Sequence, residues 1–130
     1  MTIKHNILGW FEIPVLNMDR AVKFYETIFD FKLLRNQMGS LDMAWFPGVD
    51  KGMGATGSLV FKPEFYKPSP DGVLIYLTTP TGELNDDISK VLAAGGKVVL
   101  SKTLITEEIG YMAVILDTEG NRIALHSRKG

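Results

Sequence analysis

The sequence predicts an α+β fold built from two tandem βαβββ modules, and three observations support this prediction. The order strand, helix, strand, strand, strand occurs twice along the 130 residues, once in each half. Apolar residues recur at helical spacing in two segments, whereas the other segments are short and rich in β-branched and aromatic residues. Hydrophobic residues make up 45% of the chain and charged residues 22%, a balance typical of a folded domain. We therefore expect one domain, residues 1–130, with module one at about 7–63 and module two at about 71–128.

Module one is predicted to begin with a strand over residues 9–15, which is rich in aromatic and branched side chains. Pro14 has no backbone donor, so we expect it where strand pairing ends. Asn17 can cap a helix that begins near Met18. The apolar stripe of this helix comprises Ala21, Phe24, Tyr25 and Ile28. Three further strands are predicted at residues 31–35, 43–46 and 58–62.

Module two follows a linker over residues 63–71, whose three prolines favour extended, unpaired backbone. A strand over residues 73–78 opens it, and Thr81 is expected to cap the second helix. Gly95 and Gly96 are expected to end this helix, whose apolar face comprises Leu84, Ile88, Val91 and Leu92. The remaining strands are predicted at residues 98–100, 111–116 and 122–127, with a turn over residues 118–121.

Composition excludes several classes of partner and site. The formal net charge is −1, so no general field attracts nucleic acid. The absence of cysteine excludes disulfides, thiolate metal sites and a cysteine nucleophile. No run approaches the ~20 apolar residues that a membrane-spanning helix needs. The first six residues lack the apolar core of a signal peptide, so we expect a cytoplasmic protein.

Three stretches resemble a known superfamily: residues 10–25 (WFEIPVLNMDRAVKFY), 93–98 (AAGGKV) and 116–126 (LDTEGNRIALH). With the doubled module order, they resemble the glyoxalase/bleomycin-resistance/extradiol dioxygenase (vicinal oxygen chelate) superfamily. The likeness covers nearly the whole chain and looks closest to the subgroup described as "related to lactoylglutathione lyase". It implies that the modules form a cupped mixed sheet around a cavity. It also implies a homodimer, because many relatives complete the cavity across subunits.

The resemblance further implies a divalent metal, which the family holds with His and Glu side chains on facing strands. The family's positions fall here on Trp10, on Val73 or Leu74, on Ala124 and around residues 58–60. Only Ser58 among these carries a side-chain oxygen. A divalent ion needs three or four lone-pair donors at roughly 2.0–2.3 Å. We therefore expect the fold and the cavity without the metal, and no cofactor.

Strand alternation nominates polar residues that could take the metal's place. Residues two positions from Trp10 and Ala124 share their face, which selects Glu12, Arg122 and His126. Glu12 and His126 could move a proton between them. The hypothesis is an aromatic pocket with one polar end, formed by Trp10, Glu12, Trp45, Tyr76, Arg122 and His126. The alternative is that Glu12 and Arg122 pair across the sheet while His126 lies at a frayed C-terminus.

Three functions remain open. The first is a metal-free, dimeric domain that binds an unidentified small molecule, and we favour it narrowly because enzymes of this fold normally need the metal. The second is a lyase, isomerase or epimerase with a relocated site, in which Glu12 or His126 is the base. The third is a structural or regulatory interaction domain. The resemblance predicts the fold more specifically than any reaction, since one scaffold hosts unrelated activities.

Overall fold

The computed structural model describes residues 2–129 and confirms the α+β class and the repeated element order. The first half contains β1 (Phe11–Pro14), α1 (Met18–Phe29), β2 (Leu34–Met38), β3 (Leu41–Trp45) and β4 (Gly57–Phe61). The second half contains β5 (Tyr76–Thr78), α2 (Leu84–Val91), β6 (Lys97–Thr106), β7 (Gly110–Leu116) and β8 (Arg122–Ser127). Within residues 2–129, neither helix has the length and apolar character that crossing a membrane requires.

Each half forms its own four-stranded mixed sheet. The strand orders are β1-β4-β3-β2 and β5-β8-β7-β6, so the two halves have the same topology. The first strand of each half pairs in parallel with the last, and the other pairings are antiparallel. The parallel pairing requires a crossover connection, and the single helix of each module provides it. Strands β1 and β5 are therefore edge strands.

The predicted start of α1 is confirmed, and the predicted cap of α2 is wrong. The Asn17 side chain accepts a hydrogen bond from the Arg20 backbone N–H at 3.0 Å, and α1 begins at Met18. Helix α2 begins at Leu84, and no side chain caps its first turn. The Thr81 hydroxyl instead donates to the buried carboxylate of Asp87, a residue within α2, at 3.0 Å.

Strand β6 is longer than predicted. The sequence predicts a strand at residues 98–100, whereas β6 covers Lys97–Thr106 with several register irregularities against β7. Such bulges interrupt regular alternation, so the apolar pattern of this segment is blurred in the sequence. The last strand, by contrast, lies at residues 122–127 as predicted.

The core lies between the helices and one face of each sheet. On the first sheet, Ile13, Leu59 and Ala44 occupy neighbouring positions and pack in one cluster with the buried face of α1. Directly opposed residues point to the same side of a sheet, so their sequence neighbours point away from α1. We call this helix-free side the open face of each sheet. Its central rows run Glu12–Ser58–Trp45–Leu34 on the first sheet and Tyr76–Ala124–Val114–Leu100 on the second.

A buried carboxylate joins the two modules. Glu119, in the turn before β8, accepts hydrogen bonds from the backbone N–H groups of Leu16 and Asn17 at 2.7 and 2.8 Å. The Arg20 guanidinium donates to the same carboxylate through Nε and Nη2 at 2.8 and 3.0 Å. Burial alone would raise the pKa of Glu119, but these hydrogen bonds outweigh it and lower the pKa. The turn of module two is thereby fixed to the start of α1.

Candidate functional site

The open face of the first sheet places a carboxylate, a hydroxyl and an indole side by side. Glu12 on β1 lies opposite Ser58 on β4, and Ser58 lies opposite Trp45 on β3. Adjacent strands are about 4.8 Å apart, so the three side chains form one row. Ser58 is fully buried, whereas Glu12 is exposed. The row therefore runs from a buried centre to an accessible carboxylate at the sheet edge.

Two aromatic donors hold the Glu12 carboxylate. Tyr66 donates its phenolic O–H to Oε1 at 2.8 Å, and Trp10 donates its indole Nε1–H to Oε2 at 3.3 Å. The hydrogen bond to Glu12, together with partial burial and the carboxylate's charge, raises the pKa of the Tyr66 phenol. Tyr66 therefore stays protonated at neutral pH and acts as a donor. We call Trp10, Glu12, Trp45 and Tyr66 the Glu12 cluster.

The two tryptophans of the chain lie against each other in this cluster. The ring centroids of Trp10 and Trp45 are 5.8 Å apart with an interplanar angle of 81°, an edge-to-face arrangement. Trp10 is 40% exposed. The Trp45 Nε1 atom is buried and has no hydrogen-bond partner. The neighbouring Ser58 hydroxyl does not accept from it, and its one hydrogen is directed at the carbonyl oxygens of Leu59 and Ala44, at 2.7 and 3.1 Å.

His126 lies within the second sheet and has both ring nitrogens engaged. It occupies β8 between Thr78 and Met112, so the alternative of a frayed C-terminal histidine is wrong. Its Nε2 donates to the Ile109 carbonyl oxygen at 2.8 Å, because a carbonyl oxygen can only accept. Its Nδ1 then accepts from the Thr78 hydroxyl at 3.0 Å. In this tautomer the one lone pair of the ring nitrogens is engaged by Thr78.

Glu12 and Arg122 line one cleft without pairing. The cleft has a volume of about 340 Å³, lies between β1 and the start of β8, and is also lined by Pro14 and Lys67. Arg122 donates to the Gly72 carbonyl oxygen at 3.4 Å. No ion pair joins Arg122 to Glu12 in the described part of the chain, so the predicted alternative of a cross-sheet pair is wrong. The two opposite charges both face the cleft from its walls.

The six residues nominated by the sequence thus divide into two groups. Trp10, Glu12 and Trp45 come together at the first sheet, whereas Tyr76, Arg122 and His126 belong to the second. Over residues 2–129, no hydrogen bond joins Glu12 to His126, so a direct proton transfer between them has no path. Tyr76 is 51% exposed on the open face, beside Ala124.

Sequence reasoning did not identify Tyr66 or Thr78 as site residues. Tyr66 lies in the proline-rich linker, where a turn places its backbone N–H 2.8 Å from the Lys62 carbonyl oxygen. It reaches Glu12 across 54 positions of sequence. No local pattern signals that contact. Thr78 lies opposite His126 in the β5–β8 pair. The register of two strands that are distant in sequence is not visible in a local pattern.

The side chains at the positions that the resemblance assigns to the metal do not fit a divalent cation. The Trp10 nitrogen carries a hydrogen that it donates to Glu12, and the Ser58 hydroxyl is directed at backbone carbonyls. Ala124 has no donor atom and is fully buried, and neither Leu74 nor the 92%-exposed Val73 offers a lone pair. Among residues 2–129, no three His, Asp or Glu side chains come close enough to form a metal site.

Comparisons with known proteins agree with this architecture. The sequence model described as the Glyoxalase/Bleomycin resistance protein/Dioxygenase superfamily matches residues 7–125. A hypothetical protein from S. aureus superposes with a TM-score of 0.67 at 24% identity, covering 94% of each chain. A glyoxalase/bleomycin resistance protein from Albidiferax ferrireducens gives 0.66 at 15% identity, covering 95% of this chain and 99% of that one.

Glyoxalase I from Zea mays also superposes, with a TM-score of 0.66 at 18% identity. The alignment covers 93% of this chain and 46% of the maize chain. No curated protein matches the chain in sequence. These similarities concern the fold, because identities this low say nothing about a shared reaction.

Proposed function

Because the chain belongs to the Glyoxalase/Bleomycin resistance protein/Dioxygenase superfamily, whose model matches residues 7–125, we propose that it binds a small organic molecule at the Glu12 cluster without a metal ion. The observation that carries the proposal is the Glu12 carboxylate, held at 2.8 Å by Tyr66 and at 3.3 Å by Trp10 at the edge of a cleft. A few convergent polar groups among aromatic side chains are typical of small-molecule sites.

The size and polarity of the cleft, which Glu12 lines without the three aromatic residues of its cluster, support this proposal. Its volume of about 340 Å³ lies at the lower end of the range for small-molecule pockets, roughly 300–1,000 Å³. Glu12 and Arg122 line the cleft together with the apolar Ile13 and Ile75. The carboxylate has lone pairs beyond the two that Trp10 and Tyr66 use. A ligand with a hydrogen-bond donor can therefore bind Glu12 without displacing Tyr66.

The chemistry of the donor set supports metal independence. In this family the ion is held by side-chain nitrogen and carboxylate ligands, and the equivalent positions here carry an indole, a hydroxyl and apolar groups. Lewis-acid activation at that position therefore has no ligands to support it. We assign ligand recognition to hydrogen bonds and aromatic contacts instead.

Dimerisation is part of the proposal, because both open faces present large apolar side chains to solvent. Leu34 on the first sheet is 64% exposed, and Tyr76 and Leu100 on the second are 51% and 43% exposed. We propose that a second copy of the chain covers these exposed side chains. Light scattering should give twice the mass of the chain, and Leu34→Lys should shift the equilibrium toward monomer. If the wild-type protein is monomeric at about 100 µM, far above a dimer Kd of about 1 µM, the dimer proposal is refuted. The proposal of ligand binding is unaffected by that result.

The main test is a ligand-observed NMR screen in EDTA with aromatic fragments that carry a donor, namely phenols, anilines and aromatic amides. Fragments that bind wild type should lose about tenfold or more in affinity with Glu12→Gln, since a charged hydrogen bond contributes about 1.5–3 kcal/mol. Glu108→Gln is the matched control, because Glu108 is an exposed carboxylate remote in sequence from the cluster. Binding that is equal in all three proteins, or that requires added metal, would overturn the proposal.

The Glu12–Tyr66 pair also supports a second candidate, a lyase or isomerase that removes a proton from a carbon. Glu12 would take the proton, and Tyr66 would turn its one O–H from the Glu12 carboxyl to the developing oxyanion. Fragments with an acidic C–H should then exchange that hydrogen in D2O, and Glu12→Gln should abolish the exchange. If the fragments bind but do not exchange that hydrogen, the lyase or isomerase candidate is rejected and the binding function stands.

A further inference from the structure

The Trp45 indole N–H is a buried donor that the protein leaves unsatisfied. Within residues 2–129 its Nε1 is one of two buried side-chain polar atoms without a hydrogen-bond partner. Buried donors are nearly always paired, since an unpaired one loses its hydration without compensation. Ser58, the neighbour of Trp45 in the row, donates to a backbone carbonyl and does not accept from Nε1. No acceptor within residues 2–129 therefore pairs with this donor.

Trp10 packs against the Trp45 ring in the manner of a bound aromatic molecule. Its ring meets Trp45 edge-to-face at 5.8 Å, and its one N–H donates to Glu12 at 3.3 Å. An indole offers Trp45 at most a weak N–H···π contact, because it has no acceptor lone pair. Trp10 lies just before β1, outside the strand ladder, and is 40% exposed. It can leave without breaking a strand pairing.

We propose that Trp10 is a built-in occupant of the ligand position and that the ligand displaces it. The ligand is a planar aromatic compound with an N–H donor for Glu12 and an adjacent carbonyl acceptor for Trp45 Nε1. Such a compound satisfies both protein groups, whereas Trp10 satisfies only Glu12. This inference rests on the proposed function and names the chemical class of its ligand.

The test compares three probes that share one bicyclic skeleton. Indole has the donor alone, N-methyloxindole has the acceptor alone, and oxindole has both side by side. Oxindole should bind the full chain about tenfold more tightly than either, because an unpaired buried polar group costs about that factor or more. The 15N-labelled protein has two tryptophans, so two indole N–H signals report separately on Trp10 and Trp45. Oxindole should move the Trp45 signal downfield, and indole should not.

Three variants separate displacement from simple contact. Trp10→Ala should bind oxindole several-fold more tightly, since the competing indole is gone. Trp45→Phe should remove the preference for oxindole over indole. Phe65→Ala is the matched control, because Phe65 is an aromatic residue 78% exposed on the linker, and it should change neither property. If Trp45→Phe does not fold, the Trp45 signal of the wild-type protein decides the question.

Two results would overturn this inference while leaving the binding site intact. Equal affinity for oxindole and indole, or a Trp45 signal that does not move on saturation, shows that Trp45 Nε1 does not donate a hydrogen bond to the ligand. Weaker binding to Trp10→Ala shows that Trp10 is a wall of the pocket and not an occupant. If none of the three probes binds while other fragments bind in a Glu12-dependent way, the ligand class is wrong. Failure of every Glu12-dependent fragment would instead refute the proposed function.

Discussion

Replacing Glu119 by alanine is expected to destabilise the fold by about 3 kcal/mol, because this carboxylate joins the two modules. Its side chain is fully buried and accepts from Arg20, Thr118 and the backbone of Leu16 and Asn17. Without the carboxylate, the backbone N–H groups of Leu16 and Asn17 lose their acceptor, at a cost of about 1–3 kcal/mol each. The Arg20 ion pair adds little, because the Arg20 side chain is 49% exposed and its attraction is screened by solvent.

Chemical and thermal denaturation measure this loss. For a chain of this size, about 3 kcal/mol corresponds to a fall in Tm of roughly 12 °C. Arg20→Ala should cost only about 1 kcal/mol, because the two backbone donors and Thr118 still hold Glu119. Glu108→Ala, at an exposed carboxylate, is the control and should stay within about 0.5 kcal/mol of wild type.

The pH dependence gives a second, independent readout. The folded protein lowers the pKa of Glu119, so its stabilisation is complete above the ordinary carboxyl pKa of about 4. That stabilisation is lost as the pH falls through the lowered value. The difference in unfolding free energy between wild type and Glu119→Gln should therefore shrink below about pH 4. A difference that is constant with pH, or a Glu119→Ala protein as stable as Glu108→Ala, would refute the assigned role of Glu119.

Three further predictions concern other positions. Burial raises the pKa of Asp87, so its ionisation lowers the stability of the fold as the pH rises through that value. The free energy of unfolding of Asp87→Asn at about pH 7 should therefore equal or exceed that of wild type, and a large decrease would contradict this. Gly57→Ala should cost about 2 kcal/mol or more in denaturation, because its Cβ would meet the Phe11 carbonyl oxygen; an unchanged Tm would be inconsistent. His126→Ala should lower the free energy of unfolding by about 1–2 kcal/mol and leave fragment binding intact. Loss of binding without loss of stability would show that His126 contacts the ligand.

Local sequence signals predicted the fold where the determinant was itself local. Asn17 signals the start of α1 because its side chain can reach the first free backbone N–H groups. The turn at residues 118–121 marks the start of β8, which lies at residues 122–127. Thr81 carries the same cap signal, but its hydroxyl bonds to Asp87 in the fold. A cap residue and a residue that pairs with a buried carboxylate look alike in the sequence.

The candidate site was predictable only in part, for a related reason. Strand alternation places Glu12 on the face of Trp10, and the two side chains are in contact. Alternation says nothing about which residues arrive from distant segments. Tyr66 reaches Glu12 from the linker, and Arg122 binds Gly72 and not Glu12, although both charges line one cleft. These contacts depend on how the two modules pack, and the spacing of apolar and polar residues along the chain does not specify that packing.

The most direct test of metal-independent binding is calorimetric titration of the protein, stripped with EDTA and dialysed, with Zn²⁺, Ni²⁺ and Mn²⁺. The donor set at Trp10, Ser58 and Ala124 predicts no stoichiometric binding and no rise in Tm with any of the three ions. Fragments that depend on Glu12 should bind equally with and without these ions. One ion bound per chain, with a raised Tm and fragment binding that requires it, would contradict the account.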